Sequence, residues 1–378
     1  MNLTEEPTIG SDQSPPVAGA ARRRIGGWLR PLVAVLLLAG LIAVPSLQLQ
    51  LPGVLPGPTY AAGTLQLLAS CLLIGALAVT YNLVFAVSGL LSFGHALFFA
   101  LGCYVFGMLL EHARMAPIPA ACITLVVGIL TSLVVGLINL RVSGIAFAMV
   151  SLAFAQAASV LVLRNVHGLT GGEEGLGLTH ADLPGWLLGV ANTQNLYYLA
   201  LGVAALVLAG VGWLVRSRLG QLMLAVRENE LRVRVLGIRP YLVRLVAFTA
   251  AGSLATVVGM AYLLVQGGAN PQITTSSFTL TLLVMVILGG LGSRWGAMLG
   301  GMLYTLLNQR LGVLAASAGL THLPAVLRVP LSQPTFLLGA LFVLLVLFLP
   351  GGLTGGLARL VGRGESAPLA ELSEAEAA

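Results

Sequence analysis

The sequence contains no lysine, and charged residues make up only 8% of its 378 residues. A soluble domain of this size carries roughly a quarter charged residues, so the chain has too few polar side chains to cover a water-facing surface. Because 57% of the residues are hydrophobic, we expect lipid to be the main solvent. The missing lysine also excludes a P-loop ATPase site, since that motif uses a lysine to reach the terminal phosphates.

Acidic residues are absent from the cores of the apolar segments, because all thirteen lie in loops or tails. Proton-coupled transporters carry ionisable groups inside the membrane, so this absence argues against a proton-coupled transporter. It does not exclude a transporter that binds sodium through backbone carbonyls. The sequence shows no Ser/His/Asp or paired-carboxylate arrangement that would indicate an enzyme. Cys71, Cys103 and Cys122 lie in apolar stretches without CxxC or Cys/His spacing, so we expect packing roles and neither a disulfide nor a metal site.

Three regions follow from composition. Residues 1–30 are predicted to be a disordered cytoplasmic tail with an arginine cluster, residues 31–350 a transmembrane domain, and residues 351–378 a cytoplasmic C-terminal tail. Backbone groups in lipid must be satisfied within the spanning segment, so the fold class is an all-α polytopic membrane protein with about ten transmembrane helices, the first one uncleaved. The apolar segments cover 32–49, 63–87, 96–110, 118–140, 144–163, 196–215, 241–265, 278–291, 295–314 and 335–349.

The arginines set the predicted orientation. With ten spans and both termini cytoplasmic, fifteen of the nineteen arginines fall inside, and only Arg114, Arg164, Arg310 and Arg328 fall outside. This bias follows the positive-inside rule. The third, eighth and tenth spans are short, and the third and eighth are each the third member of one half of a possible inverted five-plus-five repeat. The Gly/Ser breaks at 88–95 and 289–293 nevertheless lie on opposite sides of their short spans.

The loop from Arg216 to Pro240 is rich in charge and predicts a short helix on the cytoplasmic face. Leu222, Val226 and Val233 form an approximate apolar stripe. Glu228 with Arg232, and Glu230 with Arg234, are spaced as favourable i,i+4 pairs, and Gly237 with Pro240 ends the helix. A basic helix lying at the membrane interface is the alternative interpretation.

Several short motifs carry a resemblance when taken in order. They are SGLLSFGHALFF at 88–99, RVSGIAF at 141–147, LAFAQ at 152–156, LTGG at 169–172, AVRENE at 225–230 followed by Gly237, LGGLGS at 288–293 and PGGL at 350–353. Each motif alone is weak. Together, over residues 63–357, they resemble the branched-chain amino-acid permease family, the membrane subunits of ABC importers for leucine, isoleucine and valine.

The resemblance implies an ATP-driven importer in a bacterial inner membrane. It implies a second, different permease subunit, two cytoplasmic ATPase subunits that bind the ATP, and an extracytoplasmic substrate-binding protein. It implies no cofactor on this chain and no nucleic acid. The implied ATPase-coupling residues are Ala225, Arg227, Glu228, Asn229, Glu230 and Gly237. Urea, short amides or a sugar remain alternative substrates, and an ATPase-independent secondary transporter or facilitator remains an alternative of another class.

Two further groups of residues are candidates. Residues for the pathway or for structural breaks are Ser88, Gly89, Ser92, Gly94, His95, Gly289, Gly290, Gly292 and Ser293. For His95 we favour a packed, hydrogen-bonded side chain over a pathway group, and for Gln156 a bond between helices over a substrate contact. Candidates for external docking of a binding protein are Thr170, Gly171 and Gly172, for which a simple turn is the alternative. The acidic pair Glu173 and Glu174 that follows departs from the family pattern.

Overall fold

The computed structural model describes residues 39–46, 56–179, 184–185, 192–315, 333–348 and 351–360. The predicted N-terminal tail, most of the first predicted span and the end of the C-terminal tail lie outside the described residues. All ten predicted apolar segments contain helix where they are described.

Twelve helices organise the described residues. They are α1 (Ala62–Asn82), α2 (Ala96–Glu111), α3 (Pro117–Asn139), α4 (Ile145–Leu163), α5 (Thr193–Arg216), α6 (Arg218–Glu228), α7 (Glu230–Val235), α8 (Pro240–Gln266), α9 (Ser276–Gly289), α10 (Arg294–Ala315), α11 (Pro334–Phe348) and α12 (Gly352–Leu360). A π-helical turn, Leu83–Val87, continues α1, and short 3-10 turns occupy Val44–Ser46, Val166–Gly168 and Pro271–Thr274.

Five of these helices are long and apolar enough to cross a membrane: α1 with its π-helical turn, α3, α4, α5 and α8. The pair α9 and α10 is bent by 119° and adds a sixth span if it counts as one. Helices α2 and α11 have 16 and 15 residues, fewer than the roughly 20 that a span needs. The chain is therefore a predominantly helical polytopic membrane protein, as the all-α class predicts, whereas the predicted count of ten spans is not confirmed.

Helix α1 forms the core of the domain. It packs against α5, α8, α9 and α10, and 94% of its apolar window is buried, compared with 28% for α3. In lipid, close packing of small residues replaces the hydrophobic effect as the force that joins helices. Gly301 of α10 shows this directly, because a Cβ built there would lie 2.7 Å from the Cα of Gly75 in α1.

A two-stranded antiparallel sheet joins two distant loops. β1 (Leu176–Gly177) follows α4, and β2 (Gly268–Ala269) follows α8, with Leu176 opposite Ala269. The sheet lies at the end of the domain where α2, α4 and α8 finish.

The first residues of the predicted C-terminal tail form a helix that packs on the domain. Residues Gly352–Leu360 form α12, which packs against α9 and α10, and the hydroxyl of Thr354 donates a hydrogen bond to the carbonyl of Gly289 at 3.1 Å. Gly352 permits this approach, because a Cβ built there would lie 2.6 Å from the backbone nitrogen of Gly290.

Candidate coupling site and external loop

The coupling segment at 216–240 contains two helices where the sequence predicted one. Asn229 has extended backbone angles (φ −153°, ψ 101°), which separate α6 from α7, and its side chain accepts a hydrogen bond from the N–H of Arg232 at 3.0 Å. Asparagine favours such N-cap positions over helix interiors. The predicted pair of Glu228 and Arg232 straddles this break, and the described residues show no ion pair between them.

The two coupling helices divide into an inner and an outer face. Met223, Val226 and Val233 are buried against the domain, so the predicted stripe is correct except that Leu222 is only half-buried. Three apolar residues face outward in and after α7: Leu231, Val235 and Leu236 are 69%, 87% and 76% exposed. An outward apolar surface beside charged residues is typical of a site that a partner protein covers.

Glu230 holds the coupling segment together and to the domain. Its carboxylate binds Arg234 at 2.8 Å within α7, as predicted, and Arg244 of α8 at 2.9 Å. Among the predicted coupling residues, Glu230 therefore forms ion pairs within the chain. Glu228 is exposed and is free to meet a partner.

Arg227 connects the coupling segment to the end of α1. Its guanidinium donates a hydrogen bond to the carbonyl of Ala86 in the π-helical turn. Its aliphatic stem lies over Gly89, where a Cβ would come within 2.9 Å of the Arg227 Cγ. The coupling helix and the Gly/Ser break at 88–95, predicted as separate candidates, therefore lie in direct contact.

The segment 88–95 is a non-helical stretch, most of whose residues are buried. The hydroxyl of Tyr81 donates to the carbonyl of Ser92 at 3.0 Å, and the N–H of Phe93 donates to the hydroxyl of Ser151 at 2.9 Å. At its end, the N–H of Ala96 donates to the hydroxyl of Thr279 at 3.2 Å. Irregular backbone inside a membrane domain is tolerated only with such partners. The segment leads directly into the short helix α2, which begins at Ala96.

Gly94 shows how tightly the break is packed. A Cβ built at this position would lie 2.4 Å from the carbonyl oxygen of Ser151 in α4. Only glycine permits this approach of two backbones. This close approach favours the structural alternative for Gly94.

His95 is fully buried beside the rings of Tyr81 and Phe98. Its Nε2 lies 2.9 Å from the hydroxyl oxygen of Thr80, while its Nδ1 has no partner among the described residues. The packed interpretation of His95 is thus the one that the structure supports. Gln156 likewise joins two helices, because its amide donates to the hydroxyl of Ser276 at 2.8 Å.

The turn at 289–293 lies at the same end of the domain as the coupling segment. The N–H of Gly292 donates to the side chain of Asn82, at the end of α1, at 3.2 Å. Arg294 lies against Gly212 of α5 and close enough to Arg216 for the two charges to repel each other. The arginines predicted to share one side of the membrane in this region are therefore also neighbours in space.

The loop predicted to be external lies at the opposite end of the domain and is held by several hydrogen bonds. Asn165, in the left-handed region at φ 45°, accepts hydrogen bonds from the N–H groups of Thr170 and Gly171, both at 3.0 Å. The Thr170 hydroxyl donates to the carbonyl of Val162 at 2.7 Å. Thr170 and Gly172 are buried, whereas Glu173 and Glu174 are exposed. The predicted docking residues thus shape the loop, and the acidic pair forms its surface.

The motifs do not include the residues that hold these sites in place. Four residues outside those motifs bind the candidate segments: Arg244, Asn165, Ser151 and Asn82. Only Asn165 carried a local signal, because asparagine tolerates the left-handed region that turns require.

Known proteins resemble this chain over most of its length. The family model described as branched-chain amino acid transport system / permease component matches residues 63–348. The chain is 30% identical over 244 residues to the high-affinity branched-chain amino acid transport system permease protein LivM of Salmonella typhimurium, covering 59% of this chain and 57% of that protein. It is 24% identical over 273 residues to the corresponding LivH protein of Escherichia coli, covering 68% and 83%.

A third relative carries a different name. The chain is 35% identical over 161 residues to the autoinducer 2 import system permease protein LsrC of Klebsiella pneumoniae, covering 42% of this chain and 43% of that protein. The matched regions span less than two thirds of the LivM proteins, at 57% and 62%. No solved structure matches the chain.

Proposed function

This chain belongs to the branched-chain amino-acid transport permease family, and on that premise we propose that it is a membrane subunit of an ATP-driven importer of branched-chain or other hydrophobic amino acids. Its place would be the bacterial inner membrane. The relatives named for branched-chain amino acid transport support the substrate class.

The observation that carries the proposal is the attachment of the coupling segment to the transmembrane core. Arg227 binds the end of α1, and Glu230 binds Arg244 of α8. A movement of α6 and α7 would thereby be transmitted to α1 and α8, the two membrane-spanning candidates with the largest buried fraction. A transporter that takes its energy from a separate ATPase needs such a rigid link, because a flexible loop would dissipate the movement.

The proposed partners follow from the same surfaces. The outward apolar residues Leu231, Val235 and Leu236, together with the exposed Glu228, form the surface on which we place the ATPase. Two ATPase subunits would bind and hydrolyse the ATP, since this chain has no lysine for a P-loop. A second, different permease subunit would complete the channel, and a binding protein would meet the loop that presents Glu173 and Glu174.

The similarity to a permease protein of an autoinducer 2 import system supports a second candidate. In that case the machinery is the same, but the cargo is not an amino acid.

Reconstitution separates these possibilities. Proteoliposomes would contain this chain, its neighbouring permease, the ATPases and the binding protein, and uptake of labelled leucine would be measured with and without internal ATP. We expect ATP-dependent uptake that isoleucine and valine inhibit. Stimulation of ATP hydrolysis without leucine uptake would retain the importer and direct the search to autoinducer 2, urea, amides and sugars. Uptake by this chain without ATP or partners would overturn the proposal in favour of a facilitator.

A further inference from the structure

A basic cleft lies beside the coupling segment. Its volume is about 640 Å³, and it opens between α7, the connection from α3 to α4, and the start of α8. Four arginines line it, together with one acidic residue, Glu230. The arginines are Arg141, Arg234, Arg239 and Arg244.

The positive charge in this cleft is not neutralised by the residues that line it. Glu230 already binds both Arg234 and Arg244. Arg141 and Arg239 are exposed, and neither forms an ion pair with any residue that the structure describes. The Nε of Arg244 is buried and has no hydrogen-bond partner there. A concave surface with such unpaired guanidinium groups attracts an anion.

The position of the cleft identifies the kind of anion. Three membrane-spanning candidates meet at it, because α3 ends at Asn139, α4 begins at Ile145 and α8 begins at Pro240. The cleft therefore lies where apolar helices leave the hydrocarbon region. Val142 lines the cleft beside Arg141 and is 38% exposed, and Ile145, the first residue of α4, is 82% exposed. A free anion gains nothing from contact with these apolar side chains, whereas the acyl chains of a lipid pack against them.

We propose that this cleft binds the phosphate headgroup of an anionic bilayer phospholipid. Guanidinium groups match phosphate oxygens in geometry as well as in charge, and basic pockets between helices on the cytoplasmic side are suited to lipid headgroups. Arg141 lies on the connection from α3 to α4, and Arg239 lies between α7 and α8. A phosphate held by both joins the coupling segment to α3 and α4, which the ion pairs of Glu230 do not reach.

The test measures lipid binding and does not require transport. The full chain, purified in a mild detergent, would be examined by native mass spectrometry with added phosphatidylglycerol, phosphatidylcholine or inorganic phosphate. The variant Arg141→Gln/Arg239→Gln removes the two unpaired cations. The matched control Arg114→Gln/Arg164→Gln removes two exposed arginines at the opposite end of the domain. A third variant, Ser143→Glu, leaves every arginine in place and adds a negative charge to the lining of the cleft.

We expect the unaltered chain and the control to retain phosphatidylglycerol in preference to phosphatidylcholine. The affinity of Arg141→Gln/Arg239→Gln for phosphatidylglycerol should fall by roughly thirtyfold, because each arginine near a membrane surface contributes about fivefold. Ser143→Glu should also release the lipid, which guards against a folding defect in the double variant.

Three results would overturn the proposal. The first is equal retention of phosphatidylglycerol by the unaltered chain and by a well-folded Arg141→Gln/Arg239→Gln variant. The second is equal loss in the control variant, which would mean that the total charge matters and the cleft does not. The third is displacement of phosphatidylglycerol by millimolar inorganic phosphate, which would identify the cleft as a site for free anions.

Discussion

Glu230 of α7 and Arg244 of α8 form an ion pair in which Oε2 lies 2.9 Å from Nη1. The side chain of Arg244 is 22% exposed and that of Glu230 is 35% exposed, so solvent screens this pair only in part. The pair ties a six-residue helix, too short to be stable by itself, to a helix of 27 residues. The position of the coupling segment thus depends on a contact with the transmembrane core.

A double-mutant cycle should detect this dependence. We expect Glu230→Gln and Arg244→Gln to be coupled by about 1 kcal/mol in the free energy of unfolding, measured by denaturant titration in detergent. The matched cycle of Glu230 with Arg234, whose side chain is 62% exposed, should give only about 0.3–0.5 kcal/mol. Equal coupling in the two cycles would show that α7 is not held by Arg244.

The sequence located the coupling segment but not its internal break. Charge density and an apolar stripe predict a helix on one face, and both patterns continue through Asn229. Whether an asparagine stays within a helix or caps the next one depends on how the flanking residues pack. Here Val226 and Val233 are both buried, and the break at Asn229 lets α6 and α7 each turn a face inward. Tertiary contacts decide between a continuous helix and a break at Asn229, and the periodicity of apolar residues does not report those contacts.

The break at 88–95 was predicted for a similar reason and with a similar limit. Its serines and glycines indicate irregular backbone between two apolar runs. The groups that satisfy that backbone are Ser151 and Thr279, which lie 58 and 183 residues away along the chain from the residues they bind. A lone serine or threonine in an apolar helix gives no sign of its partner, so the packing could not be read from the sequence.

Substitution of Gly94 should test the packing of this break. We expect Gly94→Ala to lower the free energy of unfolding by about 1–3 kcal/mol, because its Cβ would overlap the carbonyl oxygen of Ser151. The control is Gly202→Ala in α5, where nothing lies within 4 Å of the added Cβ. That variant should be neutral or more stable by up to about 1 kcal/mol. Thermal and denaturant unfolding in detergent would measure both, and similar effects at the two sites would refute the close approach.

The external loop should depend on the amide oxygen of Asn165. Asn165→Ala removes the acceptor of the N–H groups of Thr170 and Gly171, so local stability should fall by about 1–3 kcal/mol. Asn165→Asp keeps an acceptor and should retain most of it. Hydrogen exchange of residues 165–176 would report the change. Rapid exchange in both variants would mean that the acceptor is not what orders the loop, and unchanged protection in Asn165→Ala would mean that the loop does not need it.

Arg227 should be required for coupling rather than for ATP hydrolysis. The bond of its guanidinium to the carbonyl of Ala86 joins α6 to the end of α1, and a charge-assisted bond of this kind contributes about 1.5–3 kcal/mol. Loss of such a link is large enough to reduce transport at least tenfold. In the reconstituted importer we therefore expect Arg227→Ala to abolish most ATP-dependent uptake, while ATP hydrolysis stays within about twofold of the unaltered complex.

The matched control is Arg218→Ala, which removes the same charge from the exposed start of the same helix. It should leave uptake nearly unchanged, because no hydrogen bond or ion pair of the Arg218 side chain occurs among the described residues. If Arg227→Ala lowers hydrolysis and uptake together, the ATPase has failed to bind, and Arg227 belongs to the docking surface with Glu228. If uptake survives in Arg227→Ala, movement passes from the coupling segment through Glu230 and Arg244 alone, and their double variant should then abolish it.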